Sequence, residues 1–447
     1  MKTFLLFGVL IFSQHAFSQF EMPPDTTKSE RFTIHMQTTV INQFKPGFTA
    51  PYSGDNSLST SREDQTSLTS TLFLGAKLWK GASVFLNPEI AGGSGLSSAL
   101  GIAAATNGET FRIGNPSPKI YVARAFFQQI FALTDKKKPR NQQYFHNHSD
   151  FNQLEEDEPL RYFSIIAGKI SVADYFDDNS YSHDPRTQFM SWALMDNGAW
   201  DYPANTRGYA PSVVLQYVNE KWELHYGLSL VPKTANGNVM NWNLPKSYSN
   251  TLEFTRKYKV KGKFGAVRLL TYLTSTQMGN YAQAILQQAQ NPDIVSTRAY
   301  GRLKYGFGLN AEQDLGKGLG WFGRLGWNDG HNETWVFTEI DRSFSTGLIL
   351  KGSSWKRPTD VVGFAYALSG ISKWHREYLA AGGKGFMLGD GRLNYGLENL
   401  SELFYTCELV KDHLYVTGTY QLLLNPGYNR DRSGPVNVFS LRVHGRF

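Results

Sequence analysis

The stretch NVFSLRVHGRF, residues 437–447, ends the chain and decides how the rest is read. Asn437, Phe439, Leu441, Val443 and Phe447 fall on one parity, and Ser440, Arg442, His444 and Arg446 fall on the other. Successive side chains of a strand point to opposite faces, so this is a two-faced strand with an apolar side and a cationic or titratable side. Chain ends normally fray, and a terminal aromatic gains little from water. A strand that keeps its apolar face to the last residue calls for surroundings that reward greasy groups on the outside and Arg on the inside.

The same period of two recurs through the chain. In AYGRLKYGFGLNAEQ, Leu303, Tyr305, Phe307, Leu309 and Ala311 oppose Tyr300, Arg302, Lys304, Asn310 and Glu312. In KWELHYGLSLV, Trp222, Leu224, Tyr226, Leu228 and Leu230 oppose Glu223, His225 and Ser229. In SLTSTLFLGAKLW, Leu72, Leu74, Ala76 and Leu78 oppose Thr69, Thr71 and Lys77. The pattern predicts strands over 31–43, 66–79, 81–91, 119–132, 161–170, 209–218, 222–231 and 249–257. It continues over 264–274, 297–313, 319–327, 344–352, 360–369, 396–410, 413–424 and 436–447. These are about sixteen segments, each near the roughly 9–11 residues that cross a bilayer at a tilt. Tight connections at Lys80-Gly81, Asn219-Glu220-Lys221 and Lys411-Asp412 contrast with long ones at 44–65, 92–118, 171–208, 275–296 and 370–395.

A soluble sandwich buries its apolar face and would have to bury, or pair, many charges on the other face of such wide strands. Arg302, Lys304, Arg324, Arg442 and Arg446 all lie on polar rows, and an unpaired buried charge costs several kcal/mol. An inverted barrel removes that penalty, with apolar faces on lipid and charged faces on a wet lumen. Lipid offers no hydrogen bonds, so the sheet must close. Trp79, Trp222, Trp321, Trp327, Tyr405 and Phe439 lie near strand ends, where aromatic girdles belong. The expected fold is all-β: a transmembrane antiparallel β-barrel of about sixteen strands with inward-folded and extracellular loops.

Composition agrees. Aromatic residues make up 14% and charged residues 19% of the chain, against about 25% charged in soluble proteins. The lone Cys407 excludes an intramolecular disulfide framework and a CxxC metal site. The start MKTFLLFGVLIFSQHAFSQF reads as a secretory signal: Lys2, an apolar run Phe4 to Phe12, and a cleavage site after Ser18. Beyond residue 18 no run of about 18 apolar residues occurs. The organisation expected is a signal peptide at 1–18, a flexible mature N-terminus at 19–30 and one pore domain at 31–447. The formal charge of +7 is spread along the chain; DKKKPR (135–140) and EEDE (155–158) read as solvated loops, and nothing resembles a nucleic-acid tract.

Catalytic motifs are lacking: there is no GxSxG, HExxH or Walker-type string. AGGSGLSSALG (91–101) has no Lys-Ser/Thr and reads as a flexible or inward-folded loop. Ser180, Ser182, His183 and Asp184 are loop neighbours rather than a triad, and His146 and His148 lack metal-ligand spacing, so no cofactor or metal is expected. A pore wall needs weak, releasable hydrogen bonds. Parity places Glu89 inward with Ser83, Phe85 and Asn87, Arg302 and Lys304 on a second inner row, and Glu398, Glu402 and Glu408 on a third. The aperiodic segment 171–208 either folds into the barrel and narrows it or caps the outside.

Several ordered strings resemble the carbohydrate-selective porin (OprB) family of Gram-negative outer membranes. They are NPEIAGGSGLSSALGIA with NGE (87–109), YVARAFFQQIF (121–131), GKISVADYFDDNSYSHDPRTQFMSWALMDNGAWDYPANTRGY (168–209), GLGWFGRLGWNDG (318–330), NYGLENLSELFY (394–405) and the final 420–447. The resemblance implies facilitated diffusion of mono- or small oligosaccharides through a sixteen-stranded barrel whose narrow zone is lined with Arg and Glu. It points to Glu89, Arg124, Glu398 and Glu402 as lining, with Arg186 and Arg207 from the long loop; Arg302, Lys304 and Arg324 join them by parity. Departures are the less aromatic AAATNGE and the insert 135–159, long for a periplasmic turn. Expected partners are small sugars, outer-membrane lipid and lipopolysaccharide, and the barrel-assembly machinery, engaged through the strand ending at Phe447. Monomer and homotrimer are both open. The alternatives are a general-diffusion or exopolysaccharide-export porin, an outer-membrane hydrolase using Ser182 and His183, and a secreted soluble β-protein.

Overall fold

The computed structural model describes residues 30–109 and 117–447. The expected signal peptide, and all but the last residue of the expected flexible segment, lie outside the described residues. The first barrel strands are β1 (Phe32–Lys45), β2 (Glu63–Trp79), β3 (Ala82–Gly93) and β4 (Lys119–Ala132). A separate hairpin follows, β5 (Tyr144–Asn147) with β6 (Glu156–Pro159). The barrel resumes with β7 (Tyr162–Ile170), β8 (Ala210–Val218), β9 (Trp222–Ser229), β10 (Tyr248–Val260), β11 (Lys263–Thr276) and β12 (Arg302–Gly316). It ends with β13 (Leu319–Asn328), β14 (Arg342–Lys351), β15 (Val361–Gly370), β16 (Glu398–Val410), β17 (Leu414–Leu424) and β18 (Val436–Arg446).

Sixteen of these strands form one closed antiparallel barrel, each corresponding to one segment of the period-two pattern. The largest difference is at β12, expected from residue 297 but beginning at Arg302, because Val295–Thr297 form a 3-10 turn. The seam joins β1 to β18, with Gln37 opposite Arg446 and Phe44 opposite Phe439. Phe447 completes it: its N–H donates to the Met36 carbonyl at 2.8 Å, and the Met36 N–H donates to the Phe447 carbonyl at 2.9 Å. A closed seam leaves no strand edge for lipid to desolvate. Many outward side chains are large and apolar; Phe307 is 56% and Leu441 53% exposed.

Connections at 80–81, 219–221, 261–262, 317–318 and 411–413 are tight and share one rim with the start of β1 and the end of β18. The opposite rim carries 46–62, 94–109 with 117–118, 171–209, 230–247, 277–301, 329–341, 371–397 and 425–435. The long turn-side insert folds as the β5–β6 hairpin.

Inward loops occupy much of the barrel interior. Segments 94–109, 171–209, 329–341 and 371–397 pack inside, around a core that includes Phe189, Trp192, Trp200, Tyr202, Trp335 and Phe337. Trp192 stacks on Phe337 with ring centroids 4.6 Å apart. The long loop 171–209 is thus an inward element, not an outer cap, and AGGSGLSSALG folds inward with it. Lys304, Arg324 and Arg442 do point inward, as parity required, but they are buried. Loop carbonyls accept from Arg324 and Arg442, and the Thr334 hydroxyl accepts from Lys304.

Candidate functional site

The site begins with an irregularity in the sheet. Asn87 pairs with Arg124, but the next residue, Pro88, pairs with Val122, so Ala123 is an extra residue on β4. Proline has no N–H to give the ladder, and a bulge is where a strand tolerates that loss. The bulge shifts parity, and Tyr121 and Arg124, three apart in sequence, both line the same interior cavity with Glu89 of β3.

That cavity has a volume of about 560 Å³. The inward loop 171–209 supplies its opposite wall through Asp174, Asp184, Arg186, Arg207 and Tyr209, and the 94–109 segment adds Glu109. Glu89 is the hub. It accepts from Thr71 Oγ1 at 2.6 Å, from the Tyr121 hydroxyl, from the Tyr209 hydroxyl at 3.2 Å and from Arg186 Nη2 at 3.2 Å. Arg186 also donates through Nε to Glu109 at 2.8 Å, so one guanidinium bridges two carboxylates. Arg124 makes a two-point pair with Asp174, both bonds 2.6 Å. Planar forks of this kind fix a guanidinium in direction as well as in place.

Two tyrosine rings stand between these charges. Arg207 lies over the Tyr121 ring at 3.9 Å, and Arg124 over the Tyr209 ring at 5.2 Å. Burial, and next the Glu89 carboxylate, push the Tyr209 hydroxyl up, so it keeps its proton and donates. Burial also pushes the Glu109 carboxyl up, and Arg186 offsets only part of that.

Glu89, Arg124, Arg186 and Arg207 are therefore brought together. The other five residues expected on the wall lie elsewhere. Arg324 of β13 donates to the carbonyls of Leu194 at 2.9 Å, Asp177 at 3.1 Å and Ser182 at 2.6 Å, and pairs with the Asp177 carboxylate at 2.9 Å. Lys304 reaches Thr334 Oγ1 at 3.0 Å and stands 3.5 Å from Asp201. Arg302 donates to Gln283 and, at 2.8 Å, to the Thr297 carbonyl at the loop rim. Glu398 accepts from the N–H groups of Ala103, Ala104 and Gly427 at 3.0, 2.7 and 2.7 Å. Glu402 accepts from those of Met190 and Ser191 at 2.7 and 3.0 Å.

A common device emerges. Asp201 likewise accepts from the N–H groups of Trp335 and Val336, both at 2.8 Å, and Glu339 from those of Met387 and Leu388 at 3.1 and 2.8 Å. A carboxylate on two successive N–H groups satisfies backbone that would otherwise be buried without a partner. Several inward charges on the barrel wall thus pin loops, whereas Glu89 of β3 and Arg124 of β4 line the cavity.

The hydrolase arrangement is not assembled. The Ser182 hydroxyl is buried and donates to the Leu194 carbonyl at 2.6 Å, while His183 stands 3.5 Å from Asp196. Tyr121, Tyr209, Glu109 and Asp174 escaped the sequence reading. Tyr121 had a signal, since Pro88 inside a strand announces a bulge. Among the described residues one trio of metal-ligating side chains gathers, His146, His148 and Glu155, and it lies on the hairpin rather than at this cavity.

Comparison with solved structures places the architecture among outer-membrane porins. The high-pH structure of Pseudomonas putida OprB matches with a TM-score of 0.70 at 16% identity, covering 93% of this chain and 94% of that one. The low-pH structure of the same protein matches with a TM-score of 0.50 at 12% identity, covering 93% of each. At such identities the likeness establishes the fold alone. No curated protein sequence matches. The sequence profile described as carbohydrate-selective porin, OprB family, matches residues 55–447, and it brings with it an outer-membrane channel as the general role. A closed barrel with inward loops and a profile match over most of its length make this chain a member of the carbohydrate-selective porin (OprB) family.

Proposed function

We propose that this porin passes mono- or small oligosaccharides by facilitated diffusion, and that Glu89, Arg124, Arg186 and Arg207 meet the sugar. The observation that carries the reading is two tyrosine faces set among guanidinium donors and carboxylate acceptors around one cavity of about 560 Å³. Sugar hydroxyls alternate donor and acceptor, and the C–H face of a pyranose ring packs on an aromatic ring. Carboxylates already bonded to Arg and Tyr offer a sugar only their remaining lone pairs, which suits entry and release rather than tight capture. Transport is passive, and no catalytic cycle is involved.

Planar-bilayer conductance with a panel of saccharides tests it. A permeating sugar lowers single-channel conductance in the wild type. Glu89→Ala and Arg124→Ala change sugar flux into proteoliposomes far more than they change assembly. Equal flux in all three proteins removes these residues from the sugar path; indifference to every sugar supports instead a general-diffusion or polysaccharide-export pore.

Three further readings belong with this one. The signal peptide is cleaved after Ser18, which the mass of the mature protein checks. The barrel-assembly machinery recognises the strand ending at Phe447. The porin sits among lipopolysaccharide and phospholipid as a monomer or a homotrimer, which light scattering in detergent distinguishes.

A further inference from the structure

The β5–β6 hairpin carries an arrangement that the channel function leaves unused. His146 lies in β5 and His148 one residue beyond its end, and the two rings stand side by side. Antiparallel pairing sets Asn147 opposite Glu156 and His146 opposite Asp157, which brings Glu155 back beside the histidines. We propose that this hairpin binds a divalent ion of the Zn²⁺ class through His146, His148 and Glu155.

The geometry is close to what such an ion requires. Ligand atoms of the three residues all lie within 4.8 Å of one another. For metal–ligand bonds of about 2.0–2.1 Å, the edge of a coordination tetrahedron is roughly 3.3–3.4 Å. His146 Nε2 and Glu155 Oε1 stand 3.3 Å apart, which is already that edge. Two imidazoles on one tetrahedral ion have ring centroids about 5 Å apart. Those of His146 and His148 are 5.1 Å apart, with planes at 88°.

The outer contacts are also those of a metal ligand. His146 Nδ1 lies 3.1 Å from Asp157 Oδ1, which places the ring proton on Nδ1 and leaves the Nε2 lone pair facing Glu155. Asp157 is held in turn by Arg140, with Nη2 at 2.9 Å and Nε at 3.3 Å. Imidazole and carboxylate together suit Zn²⁺, whereas Mg²⁺ and Ca²⁺ prefer oxygen alone. Three protein ligands leave a fourth position for water, so the ion is exchangeable.

The site also has a place in the barrel. Its ligands bracket residues 149–154, which turn into the tight-turn mouth. Ser149 Oγ bonds Thr33 Oγ1 at 2.7 Å and His35 Nε2 at 2.9 Å, Asp150 pairs with Arg446 at 2.7 Å, and Phe151 stacks on Phe73 at 4.4 Å. Phe151 and Asn152 line the same cavity as Glu89. An ion joining both sides of the hairpin would hold that floor in place.

The competing account is a direct contact of His146 with Glu155 and Asp157, which needs no ion and no ligand bond from His148. Titration of the tag-free, detergent-purified porin with Zn²⁺, followed by calorimetry, separates the two. One equivalent binds to the wild type, and affinity falls at least tenfold in both His146→Gln and His148→Ala. Asp157→Asn, which leaves all three ligands in place but loses the charge that holds His146 and Arg140, weakens binding about 10–100-fold. Co²⁺ adds the visible absorption of a tetrahedral site in the wild type that His148→Ala lacks. Heat-modifiable gel mobility confirms that each variant is a folded barrel. No stoichiometric binding to the wild type, or binding retained in the His146→Gln/His148→Ala protein, overturns the proposal.

Discussion

Replacing Arg324 with Met tests whether the inward loop is held by the barrel wall. One guanidinium joins loop positions 177, 182 and 194 to β13 through three carbonyls and the Asp177 carboxylate. Both partners of the ion pair are buried, their side chains 1% and 2% exposed. Removing one partner of a buried pair costs about 3–5 kcal/mol, because the other charge is left behind. Asp177 keeps Asn310 Nδ2 at 2.9 Å and the Asn197 N–H at 2.8 Å, so the lower end of that range applies. A loss of about 3 kcal/mol moves the closed-to-open ratio of the loop by roughly a hundredfold. The sheet itself loses no ladder bond, so the barrel still assembles. In planar bilayers Arg324→Met therefore conducts more, with open-channel noise that the wild type lacks, and a sugar blocks it less. Adding Asp177→Asn removes the stranded charge and recovers part of the wild-type behaviour, an interaction that a double-mutant cycle measures. Wild-type conductance, noise and sugar block in Arg324→Met would refute the tethering role.

Two other predictions concern charge and closure. The Glu109 carboxyl is raised by burial, so on acidification it takes a proton above the ordinary carboxylate range. Arg186 then keeps only Glu89 as a charged hydrogen-bond partner, the cavity gains one positive charge, and anion selectivity rises as pH falls; reversal potentials in a salt gradient read this. Glu109→Gln is already shifted toward anions at neutral pH and loses the upper part of the transition, and an unchanged pH profile in that variant speaks against it. Deleting Phe447 removes both hydrogen bonds to Met36 and the last outward aromatic of the seam. Folding into lipid vesicles, followed by heat-modifiable mobility, should slow several-fold, whereas identical kinetics would mean that the seam closes without it.

What the sequence by itself determined is the barrel: period-two alternation is local, and lipid outside enforces it on every strand from Phe32 to Arg446. It told which way Lys304, Arg324, Arg442, Glu398 and Glu402 point, since parity is all that direction requires. It did not tell what they would meet, because the loops filling the interior have no period and come from far along the chain. Glu402, for example, meets the N–H groups of Met190 and Ser191, more than two hundred positions away. The cavity beside β3 and β4 was half legible. Glu89 and Arg124 stood in recognisable strings, whereas Tyr121 reaches the cavity only because the bulge at Pro88 and Ala123 shifts the parity of β4. Glu109, Asp174 and Tyr209 depend on how two inward loops lie against each other. Likewise His146 and His148 read as loop residues until strand pairing set Glu155 beside them. Alternation along a strand is a property of the backbone, and a site made of side chains from separate loops exists only once closure and packing have fixed their distances.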